Sequence, residues 1–87
     1  MKVLILYRPN SEHGRITEEF VRDYEAHTGA KPEVLSVDTR DGNAMATLYD
    51  VMQYPAILVI QNDGLLQRCW EGATLPLMDE VSAYASA

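Results

Sequence analysis

Cysteine is nearly absent from this chain: its 87 residues hold one, Cys69. A single thiol excludes an intrachain disulfide and a cysteine-based zinc site. Positive charge is scarce as well. Seven Lys and Arg stand against 13 Asp and Glu, for a net charge of −6. The basic residues are scattered and form no stripe. Such a field repels phosphate backbones, so nucleic acid is not an expected partner. Long apolar runs are missing too. None approaches the ~20 residues that span a bilayer, and the run at residues 3–7 is too short for a secretory h-region. The expectation is a cytoplasmic protein with no membrane partner. Repeats, low-complexity segments and linkers are lacking, so residues 1–87 read as one domain.

What remains is an ordinary globular composition, 47% hydrophobic, arranged in short periodic segments. Residues 2–7 form a continuous apolar run, which suits a strand buried on both faces. Arg8-Pro9-Asn10-Ser11 breaks it, and Asn10 or Ser11 is placed to cap a helix over residues 12–27. Ile16, Phe20, Val21 and Tyr24 give that helix an apolar stripe. Glu18 can pair with Arg22, and Arg15 with Glu19, on its outer face. Gly29 ends it and Pro32 prevents continuation. Val34, Leu35 and Val37 read as a second strand, parallel to the first through a right-handed crossover. Met45, Leu48, Tyr49 and Met52 predict a second amphipathic helix.

Residues 56–61 predict a third strand with Pro55 at its entrance, where the missing N–H does no harm. Asn62-Asp63-Gly64 is a hairpin turn, since these residues tolerate positive φ. Residues 65–70 return as a fourth, edge strand, with Gln67 and Arg68 within it. Gly72 ends that strand. A last helix starts at Thr74 or Leu75, with Pro76 in its first turn and Leu77, Val81 and Tyr84 on its buried face.

The spacing Tyr49-x-Val51-x-x-Tyr54-Pro55, an apolar strand, and then Asn62-Asp63-Gly64 resembles the second half of thioredoxin-like domains. Trp70-Glu71-Gly72 extends the resemblance. It implies an α/β fold of glutaredoxin size, β-α-β-α-β-β-α, with a four-stranded mixed sheet flanked by three helices. It also implies strand order second, first, third, fourth, and a cis Tyr54–Pro55 bond facing the functional site. Redox-active members carry Cys-x-x-Cys at the start of the first helix, where the helix terminus lowers a thiol pKa. Here residues 8–15 read Arg-Pro-Asn-Ser-Glu-His-Gly-Arg, with Ser11 and Gly14 in place of the cysteines. Disulfide reductase activity is not expected, and neither is a cofactor.

The other candidates have plain readings. Ser11 and His13 lie two residues apart with divergent side chains, and no third group orients them. His27 suits the carboxyl end of its helix. The two histidines stand roughly 20 Å apart along that helix, so they share no metal, and no metal site is expected. Cys69 is a thiol on a strand, brought by the hairpin toward Pro55, and most free cysteines behave as small hydrophobes.

Three functional readings follow. The leading one is a redox-inactive protein- or peptide-binding module whose groove is bordered by Asn10, Ser11, Tyr54, Pro55 and Trp70. It is a form of strand addition that needs no cysteine. The alternative is a single-thiol protein, glutathione-dependent or redox-regulatory, acting through Cys69. The third is a homodimer joined through the fourth-strand edge or the helix faces.

Overall fold

The computed structural model describes residues 1–72 and 74–86. Seven elements follow one another: β1 (Lys2–Tyr7), α1 (Gly14–Thr28), β2 (Glu33–Ser36), α2 (Arg40–Leu48), β3 (Ala56–Ile60), β4 (Leu66–Glu71) and α3 (Met78–Ala85). The strands make one mixed sheet in the order β2-β1-β3-β4. β1 runs parallel to β2 and antiparallel to β3, and β3 runs antiparallel to β4.

The alternation of side chains along β1 and β3 builds two apolar layers. Leu4, Leu6, Ala56, Leu58 and Ile60 point to one face, where Val37, Ala46 and Val51 close over them. Val3, Ile5, Ile57 and Val59 point to the other, against Tyr24 and Val81. Thus α2 covers the first face, and α1 with α3 covers the second. Every residue of β3 is buried, as the unbroken apolar run requires. The hairpin turns at residues 62–64. Gly64 takes φ 91° there, and the Asp63 carboxylate accepts from the Leu65 N–H at 3.1 Å. The Tyr54–Pro55 peptide bond is cis.

The helices depart from the sequence reading at their ends. α1 begins at Gly14 rather than at residue 12. A turn consumes the intervening chain, with the Ser11 N–H donating to the Arg8 carbonyl and the Gly14 N–H to the Ser11 carbonyl. The formal cap is His13, without a side-chain cap bond. The Ser11 hydroxyl instead donates to the Arg8 carbonyl at 2.7 Å and accepts from the His13 N–H at 3.3 Å. Asn10 is exposed and does not cap the helix. Thr17, with its hydroxyl on the His13 carbonyl, takes the buried place expected of Ile16, which is 50% exposed. One residue rotates the stripe by ~100°, so the two positions cannot both face the sheet.

α2 starts on Thr39, whose hydroxyl accepts from the Gly42 N–H at 3.1 Å. It stops at Leu48, short of the predicted stripe. The Val51 N–H reaches the Ala46 carbonyl and the Asp50 N–H the Thr47 carbonyl, which is a Schellman closure with Asp50 left-handed at φ 56°. Leu48 and Met52 therefore face solvent, 68% and 73% exposed. α3 starts at Met78, later than predicted. Pro76 disfavours the helical region for Leu75 and stays outside the helix. Leu77 caps from an extended conformation and is 75% exposed, while Leu75 and Met78 pack inward instead. β4 is shifted by one residue to Leu66–Glu71, because a bulge at Gln67 offsets its register between Val59 and Ile60.

The closure of α2 yields a prediction. Asp50→Gly relieves a non-glycine left-handed residue and raises stability by about 1 kcal/mol. Urea denaturation of the two proteins, at unchanged m-value, measures it.

Candidate functional site

The carboxyl end of β1 and the chain entering β3 meet above the sheet. β1 delivers Tyr7 and then Arg8. Tyr7 is anchored by its hydroxyl, which donates to the Glu18 carboxylate at 3.0 Å. Burial first, and then the bond to Glu18 and its charge, push the Tyr7 pKa up, so the phenol stays a donor. Arg8 is exposed and lays its guanidinium over the Tyr54 ring, 5.6 Å from the centroid. Its carbonyl holds Ser11 from both the N–H and the hydroxyl. Arg8 thus links the turn bearing Asn10 and Ser11 to the Tyr54–Pro55 segment. Sequence reasoning passed over Arg8; its place immediately after a buried strand was the available signal.

The turn closes down on α1. A methyl group at Gly14 would fall on the Pro9 carbonyl oxygen, with the Pro9 carbonyl carbon 2.9 Å away. A side chain at this position therefore requires the backbone around Pro9 to shift. Ser11 has its hydroxyl engaged with main chain on both sides, and His13 lies 3.5 Å from the exposed Glu12 carboxylate. No Ser–His pair forms. His27 sits in the last turn of α1, 3.5 Å from Asp79.

Pro55 is buried, and its carbonyl accepts from the Gly72 N–H at 3.1 Å, which ties the entrance of β3 to the end of β4. Tyr54 is half-buried against the α2-side core. Its main-chain N–H and carbonyl find no partner among the described residues. Cys69 lies opposite Leu58 on that same side, with its sulfur 4.0 Å from a Glu71 carboxylate oxygen. The same oxygen accepts from the Met52 N–H at 3.4 Å. Burial, reinforced by Glu71, pushes the Cys69 thiol up, away from the thiolate that nucleophilic chemistry needs.

Trp70 is placed differently. It lies opposite Ile57 and packs into the layer beneath α1 and α3, edge-on to Tyr84 at 5.5 Å, with Arg68 over its ring at 5.2 Å. Its indole N–H is buried without a partner among the described residues. Trp70 and Tyr54 thus belong to opposite faces of the sheet, and Trp70 does not wall a groove with Tyr54. Strand alternation sends Cys69 and Trp70 to opposite sides, and the register with β3 decides which side each takes.

A search of solved structures found thioredoxin 1 from the thermophilic eubacterium Thermosipho africanus. The match has a TM-score of 0.70 at 10% identity, covering 99% of this chain and 91% of that one. The fold is thioredoxin-like. A structure described as a malarial protein also matches the thioredoxin-like chain, with a TM-score of 0.68 at 14% identity over 97% of this chain and 91% of the other. No protein-family model and no curated protein matches the sequence. With one cysteine, this thioredoxin-like domain has no Cys-x-x-Cys pair. Among the described residues no three His, Cys, Asp or Glu side chains gather to hold a metal ion, and no helix is long and apolar enough to cross a membrane.

Two outcomes follow from this geometry. Gly14→Ala, which in an open helix gains helix propensity, here destabilises the fold by about 1–3 kcal/mol through the clash with Pro9; the shift in urea midpoint reads the sign. Alkylation of Cys69 by iodoacetamide should be slower at pH 7 than that of a cysteine in a short peptide. A raised pKa means a smaller thiolate fraction, so the rate keeps rising past the pH at which the peptide thiol has levelled off. Glu71→Gln removes the like charge and moves that profile to lower pH.

Proposed function

We propose that this thioredoxin-like domain is a redox-inactive protein- or peptide-binding module, and that an extended segment of the partner pairs with the main chain of Tyr54. The supporting observation is the free N–H and carbonyl of Tyr54 at the entrance of β3. Strand addition uses such a donor–acceptor pair for affinity, and neighbouring side chains for selectivity. Arg8 lies over the Tyr54 ring, and in this reading Asn10 and Ser11 add polar contacts and Pro55 an apolar one. Trp70 has no part in this surface. The single-thiol reading loses support from the burial of Cys69 and from Glu71, both of which favour the neutral thiol.

A displayed library of random peptides, selected on the wild-type protein, supplies the ligand for the test. Affinity is read by fluorescence anisotropy. Ser11→Asp combined with Tyr54→Ala recharges and reshapes the surface and should weaken the selected peptides tenfold or more. Because Tyr54 packs on the α2-side core, the double variant must first show a wild-type circular dichroism spectrum. N-methylation of single peptide amides should abolish binding only at positions whose N–H faces the Tyr54 carbonyl. Peptides that bind the double variant as well as wild type, or tolerate N-methylation everywhere, would overturn the reading.

A further inference from the structure

The opposite end of the sheet holds a cavity of about 310 Å³, walled by the start of β1, the chain between α1 and β2, and the last turn of α3. This volume is at the lower end of the range for small-molecule sites. Tyr24 lines it. The residue is 2% exposed and its ring stacks on Phe20 at 6.1 Å, yet its hydroxyl has no hydrogen-bond partner among the described residues. Among the described residues the Trp70 indole N–H is the one buried side-chain polar group without a partner, so the Tyr24 hydroxyl keeps access to the cavity, where a bound group can pair with it.

The charges on the wall select the kind of group. Two ammonium groups, of Lys2 and Lys31, face one carboxylate, of Glu33. Glu33 is already paired with Lys2 at 3.1 Å. Lys31 has no carboxylate within ion-pair distance among the described residues. The lining therefore carries an excess positive charge on a chain of net charge −6. The carboxyl ends of α1 and α3 also point here, and would oppose an anion. Three of their last carbonyls are taken up within the chain: Tyr24 by the Thr28 hydroxyl, Glu25 by the Gly29 N–H and Ser82 by the Ser86 N–H. The rest of the wall is apolar, formed by Val3, Pro32 and Ala85.

We propose that this cavity binds a small amphiphilic carboxylate, its oxygens on the Tyr24 hydroxyl and the Lys31 ammonium and its hydrocarbon body against Val3, Pro32 and Ala85. The site is independent of the Tyr54 surface. Burial raises the Tyr24 pKa, which keeps the phenol protonated as the donor.

Hexanoate is the probe, with hexylammonium and hexanol as controls, titrated into the ¹⁵N-labelled full chain. Hexanoate should shift the amides of Val3, Thr28, Ala30 and Ala85 saturably, with hexanol weaker and hexylammonium weakest. Tyr24→Phe keeps the ring and should bind hexanoate about tenfold more weakly, as expected for a lost bond to a charged group. Lys31→Gln should cost about two- to fivefold, a difference that shrinks at 1 M salt. Both variants must show wild-type amide spectra away from the cavity. A flat hexanoate titration, an equal response to hexylammonium, or undiminished binding by a folded Tyr24→Phe protein would overturn the proposal.

Discussion

Burial of β1 and β3 on both faces is the constraint from which the rest of the architecture follows. Neither strand offers a polar side, so each face must be covered by helices, and the sheet cannot lie open to solvent as many antiparallel sheets do. Leu4, Leu6 and Leu58 point one way and Ile5, Ile57 and Val59 the other, all with no exposure. At roughly 1.5–3 kcal/mol for each such side chain, these two layers supply most of the driving force available to so short a chain. The parallel β1–β2 pair demands a crossover, and α1 provides it. α2, on the other face, leads into the antiparallel β3, and the hairpin to β4 then needs only three residues. With both faces covered, only the ends and edges of the sheet remain for function, and both candidate sites lie at those ends.

The sheet was legible from sequence because its signals are strong and redundant. An unbroken apolar run, a proline at a strand entrance and Asn62-Asp63-Gly64 each constrain the chain in the same way. The helices were legible as segments but not in phase or extent. Ile16 and Thr17 compete for one buried position, and the structure gives it to Thr17, because that hydroxyl can bond back to the His13 carbonyl and so be buried without penalty. The stripe Met45-Leu48-Tyr49-Met52 has perfect helical spacing, yet the chain leaves the helix before it is complete. The signal for that exit is a single Asp50 in a left-handed conformation, where Gly would have been readable. For the site, the Tyr54–Pro55 segment and the absence of paired cysteines were visible. The contact between Arg8 and Tyr54 was not, since it joins residues 46 positions apart, and the exclusion of Trp70 follows only once β4 is held in register with β3.

The start of α1 is built unlike a site for thiol chemistry. A thioredoxin-like domain that only exchanged cysteine for other residues would keep an open helix terminus with room for two side chains. Here the Pro9 carbonyl occupies the space above Gly14, and the Arg8 carbonyl engages Ser11 twice. The free N–H groups that would stabilise a thiolate are partly consumed by the turn itself. The remaining thiol sits on a strand beside a carboxylate, the reverse of an activating environment. Steric closure at residue 14, hydroxyl engagement at residue 11 and electrostatics at Cys69 are independent features, and each differs from the surroundings that activate a thiol.

Two tyrosines, one toward each end of the sheet, carry polar groups with no protein partner among the described residues, and they differ in their surroundings. The Tyr54 main chain lies in an irregular segment of a half-buried residue, and such a segment is open to water where it reaches the surface. A partner there must displace that water, so main-chain pairing gives geometry and register more than net affinity. Neighbours such as Arg8 must then set the strength of binding. The Tyr24 residue is 2% exposed and borders a small cavity, so a bond made to its hydroxyl there forms in drier surroundings than one made at the open surface. The same fold therefore offers an open edge at one end of β1 and a partly enclosed recess at the other. They are separated by the fully buried length of the strand, so occupation of one imposes no steric limit on the other.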